Sequence, residues 1–208
     1  MDILALAMDF ITNMPVYLNT WSHQIGFWVY IILFLVIFAE TGLVVTPILP
    51  GDSLLFALGA LAATDDAYFN VFILFFVMFI AAILGDFVNY NIGAFFGRKM
   101  IASQKIKFIN QEHIDKTHAF FKKYGGKTIV LARFMPIVRT YAPFVAGIGA
   151  MDKKIFFFYN VIGGFVWVGS FLVAGYYFGN LEVVKTNFHI VIAAIIVISF
   201  LPPLYEYL

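Results

Sequence analysis

The chain has no cysteine, which excludes a disulfide framework and thiolate chemistry. Charge is scarce as well. Asp, Glu, Lys and Arg make up 12% of its 208 residues, about half the share usual in a soluble domain. No H-E-x-x-H or G-x-S-x-G occurs, and no histidine clusters with carboxylates at metal spacing. YGGKT at 124–128 imitates the end of a phosphate-binding loop, but Phe121 stands where its first glycine belongs. An enzyme is therefore not expected, nor a metal or other cofactor, nor a nucleic-acid partner. The N-terminus lacks the basic stretch that opens a signal peptide. His23, His113, His118 and His189 are isolated and read as surface or interfacial residues. Apolar residues are what the chain has in abundance: 62% of the total, with 26 Phe and a mean hydropathy of +0.93. That composition describes one integral membrane domain over 1–208.

Positive charge is missing from the first 97 residues, which hold seven acids and no Lys or Arg. All thirteen basic residues lie between Arg98 and Lys185, eight of them in 98–127. Basic loops stay cytoplasmic, so 98–127 is placed there, as a basic amphipathic segment against the inner leaflet or in solvent. Residues 1–24 form an N-terminal amphipathic segment. Apolar runs predict membrane spans at 25–46, 67–97, 155–179 and 188–204. The run 67–97 would measure roughly 46 Å as helix, more than one crossing needs.

Two segments behave differently. RFMPIVRTYAP at 133–143 lies in an apolar run, 128–151, whose flanks are both basic. A segment with both ends on one side has not crossed; it is a re-entrant hairpin. Pro136 and Pro143 should break it. Residues 47–66 repeat the pattern, with Pro47, Pro50 and Gly51 as breaks and an apolar remainder of about 15 Å. PIL at 47–49 matches PIV at 136–138, and ALGALA matches AGIGA. Paired broken segments point to a transport site at the interface of inverted repeats. The predicted fold is thus an all-α polytopic membrane protein with transmembrane helices and two oppositely oriented re-entrant hairpins. Both termini are then cytoplasmic; a full crossing by 47–66 would place the N-terminus outside. Ala81, Gly85, Asn89, Gly93 and Gly97 form a small-residue stripe suited to close helix packing.

Five charged residues fall at membrane depth: Glu40, Asp52, Asp86, Arg133 and Arg139. Each would cost about 2.5–3.5 kcal/mol or more if unpaired, so carboxylate–guanidinium pairs are expected. Arg133 and Arg139 would lie about 240° apart on one continuous helix. A break at Pro136 lets them converge on a phosphate or another anion. Glu40 and Asp52 are the candidate proton carriers, since a carboxyl group away from water holds its proton unless a cation is near. Competition between anion and carboxylates for the arginines would couple their movements. Asp86 and Asn89 line a polar path or brace a hairpin.

FAETGLVVTPILPGDSLLFALGALAA at 38–63, GDFVNYNIGAFFG at 85–97 and GGKTIVLARFMPIVRTYAPFVAGIGAM at 125–151 resemble the bacterial DedA family. That family belongs to the group sharing the SNARE-associated, or VTT, domain. The resemblance covers essentially the whole chain. It implies a multi-pass protein of the bacterial inner membrane that moves lipids across the bilayer, chiefly undecaprenyl phosphate, with proton coupling. It further implies Glu40 and Asp52 as the family's functional acids and Arg133 and Arg139 as its arginines. Partners are then membrane lipids, above all a polyprenyl phosphate, and protons; homo-oligomerisation stays open. Phosphatidylethanolamine is the alternative lipid. A proton-coupled transporter of small ions or drugs and a non-transporting structural protein are the alternatives of other classes.

Overall fold

A computed structural model describes residues 14–43, 51–64, 68–103 and 123–187, together with 190, 191 and 194. Among the described residues there are helices and no strand. In chain order they are α1 (Met14–Ile25), α2 (Trp28–Gly42), α3 (Gly51–Ala62), α4 (Val71–Ser103), α5 (Lys127–Ala132), α6 (Pro136–Ile148), α7 (Lys153–Phe178) and α8 (Glu182–Thr186).

Local chemistry sets these limits and corrects several expected ones. The helix of the first expected span, 25–46, starts at Trp28. Gly26, at φ +56°, adopts the left-handed conformation that ends α1, and α2 starts two residues later. The rest of the expected 25–46 span, with Pro47 and Pro50, lies outside the described residues. α4 begins at 71 rather than 67, because the Asn70 side chain accepts the amides of Phe72 (2.9 Å) and Ile73 (3.2 Å) as an N-cap. It then runs through Arg98 and Lys99 to Ser103, so the basic segment opens as a continuation of this helix. α7 spans 153–178. Most of the expected span 188–204, and all of 104–122, lie outside the described residues.

Pro136 does what the sequence suggests. It occupies the first turn of α6, after an extended Met135 (φ −116°, ψ 104°) that separates α5 from α6. Pro143 does not break the chain: α6 continues through it to Ile148. That helix ends in a Schellman turn. Met151 N–H donates to Ala146 C=O (3.0 Å) and Ala150 N–H to Gly147 C=O (3.2 Å). The left-handed position falls on Ala150 (φ 50°), not on a glycine.

α4 and α7 each hold a 26-residue stretch long and apolar enough to cross a membrane, with mean hydropathies of 2.7 and 1.8 over an 18-residue part of it. Only 33% and 39% of those 18-residue parts are buried. The core helix of a soluble protein would be mostly buried; these leave Phe72, Phe76, Phe95, Phe158 and Phe165 exposed. Such surface is stable in lipid.

The described residues fall into two compact units. The first draws on Met1–Val36, Leu49–Phe79 and Trp167–Leu208, the second on Ile37–Ile48 and Ile80–Val166. In unit 1, α3 is buried over Gly51–Ala60 and packs against α1 and against the second half of α7. A Cβ on Gly59 would overlap Leu172 O and crowd Tyr176 N and Gly175 Cα. In turn, a Cβ on Gly175 would overlap the carbonyl of Phe56. In unit 2, α6 packs against α4. A Cβ on Gly147 would overlap Tyr90 O and crowd Ala94 N and Gly93 C, and one on Gly93 would overlap the carbonyl of Phe144. The two joints use the same offsets throughout. Unit 2 adds a core of Tyr90, Ile129, Ala146, Met151 and Phe156, in which the Tyr90 and Phe156 rings stack at 4.3 Å.

A candidate site of buried ion pairs

Unit 2 gathers four of the five charged residues expected at membrane depth. Glu40 sits in the last turn of α2, where the helix dipole disfavours a carboxylate. Arg139, in the first turns of α6, offsets this: its Nη2 donates to Glu40 Oε1 at 2.6 Å. The side chains are 9% and 2% exposed, so the pair is effectively out of water.

Arg133 lies in the turn between α5 and α6 and is more heavily held. Its Nη2 donates to Asp86 Oδ2 and to Asn160 Oδ1, both at 2.5 Å, and reaches Ala82 O at 3.5 Å. Asn160 is itself fixed, donating from Nδ2 to Ile83 O at 3.0 Å. Gly163 makes room for the arginine stem; a Cβ there would stand 2.9 Å from Arg133 Cδ. The turn, α4 and α7 thus close on one guanidinium.

Asn89 ties this arrangement to the backbone. Its Nδ2 donates to Thr41 O (3.1 Å) and to Thr140 O (2.8 Å), the residues that follow Glu40 and Arg139. Thr41 O is one of the terminal carbonyls of α2 that lack a helical partner. Beside it, Gly42 and Gly85 bring α2 and α4 together, a Cβ on Gly42 standing 3.2 Å from Gly85 Cα. Asp86 and Asn89 therefore both serve as braces, one to an arginine and one to two chain segments. Ala81, Gly85 and Gly93 of the small-residue stripe face these contacts or the interior.

Asp52 lies in the first turn of α3 in unit 1, where the helix dipole favours an acid. Its Oδ1 accepts the indole N–H of the fully buried Trp167 at 2.7 Å. Asp86 is the carboxylate on Arg133. Gly51 opens α3. Asn160 and Trp167 were not singled out from the sequence. For Asn160 a signal exists: it is the one amide side chain in the apolar run 155–179.

The model of the VTT domain matches residues 49–177. The chain belongs to the VTT-domain family, the DedA family. It is 52% identical to Protein DedA of Escherichia coli over 206 residues, 99% of this chain and 94% of the relative. An uncharacterized membrane protein of Mycobacterium tuberculosis is 38% identical over 83% of this chain and 75% of its own length. The inner membrane protein YqjA of Escherichia coli is 32% identical over 74% and 69%. No solved structure matches. With its two long, largely unburied apolar helices, the chain is a membrane protein of this family.

Proposed function

We propose that this protein carries a lipid with a phosphate headgroup, chiefly undecaprenyl phosphate, across the bacterial inner membrane with proton coupling. The observation that carries the reading is the Glu40–Arg139 pair, a carboxylate and a guanidinium held together away from water. Protonating Glu40 removes a charge that holds Arg139. The guanidinium then turns to a phosphate, to which it offers two N–H donors in a fork. When the phosphate leaves, Glu40 gives up its proton and takes Arg139 back. Arg133 supplies a second positive charge for the headgroup, with Asp86 and Asn160 fixing its place. Asp52 is the second proton carrier, oriented by Trp167. The reading needs no covalent step and no cofactor.

In this reading α3 and the α5–α6 segment enter the membrane and return, from opposite sides. Their lengths support it: α3 covers about 18 Å, α5 about 9 Å and α6 about 20 Å, each short of a 30 Å hydrocarbon core. The matching glycine joints support a repeat. Tails of the lipid stay in the bilayer while the headgroup passes.

The test is transbilayer movement of undecaprenyl phosphate in proteoliposomes, for the wild type, Arg139→Lys and Glu40→Gln, with and without a proton gradient. Movement by the wild type alone, dependent on the gradient, is expected. Equal movement by a folded Arg139→Lys protein would overturn the phosphate role. Movement of phosphatidylethanolamine only would transfer the site to that lipid, with an acid taking its ammonium. Solute flux indifferent to lipid would favour an ion or drug transporter.

A further inference from the structure

An open groove of about 670 Å³ runs along the start of α7 in unit 2. Its apolar lining is Phe87, Phe157, Phe158 and Val161; Asp152, Lys153 and Lys154 complete it at one end. That volume lies within the usual range of ligand clefts, roughly 300–1,000 Å³. None of these residues belongs to the ion-pair site.

The polar end is organised. Asp152 caps α7, its Oδ1 accepting the amides of Lys154 (2.9 Å) and Ile155 (3.0 Å). Lys153 holds its ammonium 4.7 Å from the centre of the Phe87 ring, a cation–π contact. Phe87 in turn meets Phe157 edge-on at 5.9 Å. The carboxylate is thus turned to the helix amides while two exposed ammonium groups stand at the mouth of an aromatic trough. α7 is a candidate membrane span, so lysines at its first two positions sit at headgroup level. Basic flanks mark the cytoplasmic side, whose leaflet carries anionic lipid.

We propose that this groove binds one anionic glycerophospholipid of the cytoplasmic leaflet. The phosphate lies between Lys153 and Lys154, and an acyl chain lies along Phe87, Phe157, Phe158 and Val161. This groove shares no residue with the ion-pair site, and its assignment does not rest on the transport reading.

The experiment is native mass spectrometry of the full chain released from nanodiscs of equimolar phosphatidylglycerol and phosphatidylcholine. The wild type should retain one phosphatidylglycerol in preference to phosphatidylcholine by about five- to thirty-fold, the scale of one to two juxtamembrane lysines. The double variant Lys153→Gln, Lys154→Gln should fall to parity, while Lys123→Gln should keep the preference. Val161→Trp, which fills the trough but spares both lysines, should lose the bound lipid. Gel filtration of each variant checks that it is folded. Equal retention of both lipids by the wild type, or an undiminished preference in the double variant, would overturn the proposal. So would displacement of the lipid by millimolar inorganic phosphate alone, which would make this a site for a free anion.

Discussion

In unit 1, Gly59 of α3 lies on Gly175 of α7; in unit 2, Gly147 of α6 lies on Gly93 of α4. In each case the shorter helix offers a phenylalanine carbonyl three residues before its own glycine. The long helix closes around it with a carbonyl three residues before its glycine and an amide one residue after. The packing is the same, but the polar content is not. Unit 2 buries Glu40, Asp86, Asn89, Arg133, Arg139 and Asn160, whereas unit 1 buries Asp52 against an indole. The same packing of backbone on backbone occurs in both units, and four of the five charges lie in unit 2. Backbone-to-backbone packing leaves side chains elsewhere free to diverge, which is how a shared joint can carry unlike chemistry.

The largest effect should come from unit 2. Arg133→Ala strands Asp86 in an apolar interior and should cost about 3–5 kcal/mol, read as a lowered melting temperature in detergent. Adding Asp86→Leu should restore part of the loss; no recovery would show that the arginine acts through something other than this pair. The counterpart in unit 1 is Trp167→Phe, which removes the donor to Asp52. It should cost about 1.5–3 kcal/mol by the same assay, and no loss would mean the indole bond is idle. Gly59→Ala and Gly147→Ala test the shared joint directly. Each forces a Cβ into backbone and should cost about 1–3 kcal/mol, enough to outweigh the better helix propensity of alanine. A loss at one glycine and none at the other would break the equivalence. The smallest effect belongs to Ala150→Gly, which relieves a left-handed alanine at the end of α6. It should stabilise by roughly 1 kcal/mol, and a loss would mean the Ala150 methyl is in a contact that matters.

Much of this was legible before any coordinates, and the reasons can be traced residue by residue. Pro136 and the small residues of α4 act locally, so the sequence announces them. The five charges in apolar runs were legible too, because such a run makes each one conspicuous. Their pairing was not. Arg133 meets Asp86, and Arg139 meets Glu40, across 47 and 99 residues, and several pairings satisfy the same rule of neutralisation. Asp52 accepting from Trp167 across 115 residues is further still from any local pattern. Pro143 misled because a breaker's effect depends on whether surrounding structure holds the helix through it. Gly26 went unread as a break because one glycine in an apolar stretch is usually tolerated.

The indole on Asp52 also gives the protein an optical gauge. Of the three tryptophans, Trp28 is exposed and Trp167 is fully buried. Replacing Trp21 and Trp28 by phenylalanine leaves a single emitter whose N–H is bonded to an acid proposed to carry a proton. If Asp52 exchanges a proton as proposed, the emission wavelength changes with the charge on its carboxylate, with no label attached.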